Sequence, residues 1–314
     1  MFTQNYETHD ISFAMALNMW LVSNKVHIKH STFDKYNYII ERHIMPTLGD
    51  FPISTLNAVR INDFLNDKLN SGGIESGKPL APSYVGTMSL IISSTIQFAA
   101  NENYCSQLKN PVFKPSINSN NYHILERKDG IKLTNHIANE LDETGLGILL
   151  ALYMGLRIGE VCALKWEDID FHKNLIWVHS TVSRVKNGDK TEYIIDTPKT
   201  KSSVRLIPIP KKIIGFIKEI YSRRKSDYVI SDKQTFVIPR SFEYRYHKML
   251  KLLGIESINF HSLRHTFATN CIANGMDVKS LSEILGHANT STTMQIYVHP
   301  SMDVKRKQIN KVFQ

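Results

Sequence analysis

The stretch from Phe260 to His299 holds side chains suited to gripping and attacking a phosphate. It reads FHSLRHTFATNCIANGMDVKSLSEILGHANTSTTMQIYVH. His261 and Arg264 stand three positions apart, so on a helix they share a face. A Leu285-Gly286-His287 step follows, and Tyr297 comes ten residues after that histidine. Phosphodiester transfer needs a nucleophile, neutralised charge around phosphorus, and a proton for the leaving oxygen. Arginine stays charged and offers a fork of donors that matches two phosphate oxygens. A phenol, with an ordinary pKa near 10, turns nucleophilic where cations favour the phenolate. Histidine donates hydrogen bonds or moves a proton. His261 and His265, at i and i+4, also have metal-ligand spacing. However, Ser262 stands where the metalloprotease pattern needs glutamate, so His265 reads as a supporting core residue.

A second arginine, Arg157, follows Gly155 at the end of a nearly all-apolar helix, within GLRIGEVCALKWEDID. Its plain structural role would be an ion pair with Glu160. A buried arginine at that place needs an anionic partner, and a ligand phosphate would supply one. Thr197 to Pro210, TPKTKSSVRLIPIP, sets Lys199 and Lys201 ahead of a strand. Gly286 reads as a helix C-cap that leaves His287 on the next loop. Asn289-Thr290-Ser291 can cap a short helix that ends at Tyr297.

Together these stretches resemble the tyrosine recombinases, the phage-integrase family. Its first arginine box, lysine hairpin, H-x-x-R, L-G-H and tyrosine all occur in family order between Gly155 and His299. The resemblance implies a site-specific DNA recombinase that cuts and rejoins strands through a 3′-phosphotyrosyl link on Tyr297. Arg157 and Arg264 would then neutralise the phosphate. His287 would donate to a non-bridging oxygen, and His261 would assist deprotonation or bind the phosphate. Lys199 matches the general acid in the form K-T-x-x-S-x-R-x-I-P, with Lys201 as the alternative. That form is nearer to mobile-element integrases than to the Gly-Lys-Gly of chromosome-dimer resolvases. It therefore points to integration or excision of a phage or conjugative element, with no ATP, metal or other cofactor. The implied partners are double-stranded DNA at attachment sites and a homotetramer joined through a C-terminal helix over 301–313. An accessory DNA-bending or directionality factor also fits the family. The competing classes are a chromosome-dimer resolvase, a type IB topoisomerase and a non-catalytic DNA-binding relative. The complete residue set argues against the last, and the two-part layout with its lysine form favours a recombinase over a topoisomerase.

The rest of the chain must position these groups. Its 314 residues have room for two cores. Net charge is +9, and the excess lies in the half with the motifs: residues 1–112 carry 8 basic and 9 acidic side chains. A basic surface suits a polyanion, because released counterions supply affinity. No apolar run nears the roughly 20 residues that span a bilayer. The N-terminus lacks a secretory pattern, and the three cysteines are scattered, so the reading is a cytoplasmic protein without disulfides or zinc.

Apolar periodicity predicts a mainly α fold. Four helices form an N-terminal domain over 1–108, with the second helix capped at Ser31–Thr32 and broken by Pro46 and Gly49; the resemblance implies that this is the family's SAM-like core-binding domain. Lys25, Lys29, Lys35, Arg42 and Lys78 are its candidate DNA-facing cations. Ten leading residues are too few for a separate arm-binding domain. Residues 109–124 read as a linker. Residues 125–314 read as mostly helical with a small antiparallel β-sheet, for which the resemblance implies the family's catalytic domain and the DNA breaking-rejoining enzyme fold.

Overall fold

In a computed structural model of the chain, residues 10–297 are described apart from 75, 108–111, 114, 116–122, 188–189 and 198–200; beyond them, 302, 306, 309 and 310 are described. Two compact units emerge: Met1–Asn118 with Val185–Lys190, and Ser119–Arg184 with Thr191–Gln314. The expected linker and the expected C-terminal helix lie mostly outside the described residues.

In the first unit, α1 (Phe13–Asn24) starts where the Ser12 hydroxyl accepts the Met15 N–H. It buries Phe13, Ala16, Leu17, Trp20 and Leu21, a single stripe at helical spacing. α2 (His30–Ile39) begins at a Lys29 cap, slightly before the expected Ser31–Thr32. It does not break at Pro46. The chain passes into a π-turn, Ile40–Ile44, in which the Met45 N–H reaches back to the Ile40 carbonyl, and then into α3 (Met45–Leu48). Proline lacks an N–H and crowds the carbonyl four residues back; the wider turn relieves that conflict, so the helix continues to Gly49. α4 (Ala58–Ser71) is capped by Asn57, and α5 (Pro82–Asn101) carries proline in its first turn, where no N–H is missed. Ile61, Phe64 and Leu65 of α4 join Val85, Met88, Ile91, Ile92 and Ile96 of α5 in the unit's core.

The second unit opens with α6 (Arg127–Asn139) and α7 (Glu143–Met154). α7 is apolar around its circumference and is buried, as a helix at the centre of a core must be. α8 (Ile158–Ala163) follows, then β1 (Ile169–Asp170), β2 (Leu175–Val178), β3 (Thr181–Asn187) and β4 (Lys190–Asp196), of which Val185–Lys190 counts with the first unit, and β5 (Arg205–Pro208). Among the described residues the strands form two sheets: an antiparallel β1-β2-β5 and a β3-β4 ribbon. The small sheet expected from the sequence is thus divided. β2 faces β5 with Ile176 opposite Ile207. Alternation along β5 buries Arg205 and Ile207 and exposes Leu206 and Pro208. α9 (Lys211–Ser222), α10 (Pro239–Leu252), α11 (His261–Ala273), α12 (Val278–Leu285) and α13 (Thr290–Tyr297) complete the unit, with α11 packed on α7. Among the described residues no helix is long and apolar enough to cross a membrane.

Candidate active site

The site is built on two left-handed glycines that end helices. Gly155, at φ 70°, closes α7 and turns the chain so that Arg157 caps α8. Gly286, at φ 66°, closes α12 and sets His287 on the following loop. A side chain costs about 1–2 kcal/mol in that conformation, which glycine avoids. Asn289 then accepts the Ser291 N–H at 2.8 Å and starts α13.

Arg157 is not the deeply buried residue that the sequence suggests. Its side chain is 34% exposed, and its anionic partner is Glu160, at 2.8 Å. Its backbone N–H also donates to Glu160, at 2.9 Å, and Nη2 donates to the Gly286 carbonyl at 3.3 Å. The enclosed arginine is Arg264, 1% exposed on α11. Its Nη1 donates to the Gly155 carbonyl at 2.6 Å and its Nη2 to the Leu285 carbonyl.

A third arginine, Arg205 on β5, joins them. It donates to both oxygens of Glu160 at 3.0 Å, to the Ser203 carbonyl at 2.9 Å and, through Nε, to the Ile284 carbonyl. Three consecutive carbonyls at the C-terminal end of α12, those of Ile284, Leu285 and Gly286, are therefore each taken by a different arginine. The last carbonyls of a helix lack intrahelical partners and carry its negative pole, so cations suit them. Glu160 and Arg205 were not singled out from sequence as site residues. A signal existed for Arg205: it falls in phase with Ile207 and Ile209 on the buried side of its strand, and a buried guanidinium requires a partner.

Burial alone would raise the Glu160 pKa. The hydrogen bonds and charge of Arg205, then the charge and backbone N–H of Arg157, outweigh it and hold the carboxyl at about 2. Both histidines are also shifted down, which in their case favours the neutral ring. His261 is an exposed residue, yet the protein around its ring removes water, and the charges of His265, Arg264 and Arg157 add to the effect; its pKa lies at about 4. Burial, then Arg264, Arg157 and Arg205, brings His287 to about 4 as well. Both rings are neutral at pH 7. His287 Nδ1 lies 2.8 Å from the hydroxyl of Thr293, which is wholly buried on α13. That contact orients the imidazole and leaves Nε2 for a ligand. His265 is buried and meets the His261 ring edge-on, with centroids 4.7 Å apart.

Of the six residues expected to act together, Arg157, Arg264 and His287 gather at the C-terminal end of α12, and His261 lies three residues before Arg264 on α11. Tyr297 is the last residue of α13, one turn beyond Thr293; its side chain lies outside the described residues. So does Lys199, as does the side chain of Lys201 in the short 3-10 turn Lys201–Ser203 that leads into β5. A cavity of about 350 Å³ opens beside His261 and His265, lined in part by Ile158, Asn259 and Ser262. A larger cavity, about 470 Å³ among residues of α7 and α10, contains none of these groups.

The model of the phage integrase family matches residues 125–303, and that of the phage integrase N-terminal SAM-like domain matches 12–69. This chain belongs to the phage integrase family. It is 28% identical to a "Tyrosine recombinase XerC-like" protein of Caldanaerobacter subterraneus, over 94% of this chain and 81% of that one. It is 33% identical to the transposase from transposon Tn916 of Enterococcus faecalis, over 52% of this chain and 45% of the transposase, so it spans about half of that relative's length. Its fold resembles that of the Tn1549 transposon integrase, solved in complex with transposon right end DNA. The TM-score is 0.82 at 21% identity, covering 97% of this chain and 100% of that one. The mainly helical, two-part architecture expected from the sequence is that of the family.

Proposed function

We propose that this integrase-family recombinase cuts and rejoins double-stranded DNA at attachment sites through Tyr297, and that it moves a mobile element. The reading rests chiefly on one observation: Arg157, Arg264 and His287 gather around the C-terminal end of α12, and the helix that follows ends at Tyr297. The Tn916 transposase as a relative supports the mobile-element part.

In this reading a DNA phosphate enters beside Arg157 and Arg264, which neutralise its two free oxygens, while neutral His287 donates from Nε2. Neutral His261 takes the phenol proton as the Tyr297 oxygen attacks phosphorus. The bond from phosphorus to the 5′-oxygen breaks, and the lysine ammonium, Lys199 or Lys201, protonates that oxygen. The O–H and P–O bonds lost are matched by a P–O bond to tyrosine and a new 5′-hydroxyl. Attack by a 5′-hydroxyl of another strand reverses the sequence and completes exchange. The link retains the energy of the broken ester, so the cycle balances without ATP. Residues 1–108 serve as the core-binding domain, 109–124 as linker and 125–314 as catalytic domain in a cytoplasmic enzyme. Four copies acting together, joined by the segment 301–313, would cut two duplexes.

A nicked suicide duplex tests the assignment. The wild-type chain should trap a covalent complex; Tyr297→Phe should bind the same DNA equally well and form none. An adduct with Tyr297→Phe refutes the nucleophile, and supercoil relaxation without exchange between two sites would point to a topoisomerase.

A further inference from the structure

Arg205 sits between pieces of the site that are far apart in the chain. One is the turn Lys201–Ser203, whose Ser203 carbonyl accepts from Nη1 at 2.9 Å. Another is Glu160, which takes both Nη1 and Nη2 at 3.0 Å and in turn holds Arg157. The third is the end of α12, through the Ile284 carbonyl. The fit is close: a Cβ placed on Gly286 would stand 3.1 Å from Arg205 Cδ, from Arg205 Nη1 and from the Ser202 carbonyl. The turn Lys201–Ser203, the first arginine box and the Leu-Gly-His step are therefore pressed together around one guanidinium. Nothing in this arrangement requires Arg205 to touch DNA, since it is buried and at least four of its contacts are internal.

We infer that Arg205 is a positioning residue for the leaving-group proton: it clamps the segment that carries Lys199 and Lys201 to the phosphate-binding boxes. This rests on the recombinase reading above. The covalent link between the lysines and this anchor is short, so the anchor sets where the ammonium can reach. The arginine boxes, by contrast, retain the bonds of Arg264 to Gly155 and Leu285 when Arg205 is removed. Loss of Arg205 should therefore weaken proton delivery more than phosphate neutralisation.

The test compares two suicide duplexes, one with an ordinary scissile phosphate and one with sulfur in place of the bridging 5′-oxygen. A thiolate leaves without needing a proton, so a defect in proton delivery disappears on the sulfur substrate. Arg205→Lys and Arg205→Met are compared with the wild-type chain in single-turnover cleavage, with DNA affinity and melting recorded alongside. A lysine cannot span all four acceptor oxygens of these three partners, so Arg205→Lys should slow the ordinary substrate by about 100-fold or more. It should cleave the sulfur substrate at nearly the wild-type rate and bind DNA unchanged. Equal slowing on both substrates would mean that Arg205 acts through Glu160 and Arg157, and would overturn the inference. So would no slowing on either, or failure of both variants to fold. Lys199→Ala and Lys201→Ala, run in parallel, identify the acid as the one rescued by sulfur. A wild-type chain that forms no adduct on either duplex would sink the recombinase reading rather than this one.

Discussion

Replacing Glu160 by glutamine should cost the second unit about 3 kcal/mol at pH 7. The carboxylate is 3% exposed and accepts from the Arg157 backbone, Arg157 Nη1 and both terminal nitrogens of Arg205. Its pKa is about 2 in the fold against 4.5 ordinarily, and that gap corresponds to about 3 kcal/mol of stability. Glutamine keeps the shape, but it loses the charge and points N–H groups at arginine donors; breaking a buried pair in this way costs about 3–5 kcal/mol. For a unit of this size that is a fall in Tm of about 6–12 °C. The sign with pH is definite. A depressed carboxyl contributes fully above its ordinary pKa and loses the contribution as pH falls towards the folded value. The gap between wild type and Glu160→Gln should therefore narrow by roughly 1 kcal/mol between pH 7 and about pH 3.5, other groups cancelling. Urea unfolding followed by fluorescence in a Trp20→Phe background would report Trp166 and Trp177 of the second unit. A gap below about 1 kcal/mol at pH 7, or one that stays constant on acidification, would refute the reasoning.

Two further outcomes follow from the histidines. His261 and His287 should titrate near pH 4 in NMR spectra of the free chain, and both values should rise when vanadate or DNA brings negative charge beside them; titration near 6.5 without ligand would contradict the described packing. Their stabilising effect is complete above 6.5 and declines as pH falls towards 4, because the unfolded chain takes up protons first. Thr293→Val removes the hydroxyl that orients His287, so cleavage should fall by up to about 100-fold while DNA affinity is retained; an unchanged cleavage rate would show that the hydroxyl has no part in orienting the ring.

The parts of this fold that local rules govern were legible beforehand. α12 runs from its Asp277 cap to Gly286, and α11 starts at His261, both as the periodicity indicates. The convergence of Arg157, Arg264 and His287 was implied by the family resemblance. What escaped depends on partners remote in sequence. Glu160 reads as a simple neighbour of Arg157, and its second arginine lies 45 residues away. Arg205 reads as one charged position in a strand, and its other anchor lies 79 residues away. The continuation of α2 through Pro46 was missed for a different reason. A proline signals a break, and only a widened turn, which has no clear sequence signature, avoids it.

The three arginines docked on successive carbonyls make the final turn of α12 a gauge of chain length. One inserted residue would rotate that terminus by about 100° and advance it by about 1.5 Å, and none of the three guanidiniums would then meet its oxygen. Surface loops elsewhere can lengthen at little cost, whereas the span from Asp277 to Gly286 is locked in register by chemistry drawn from β5, α11 and the start of α8.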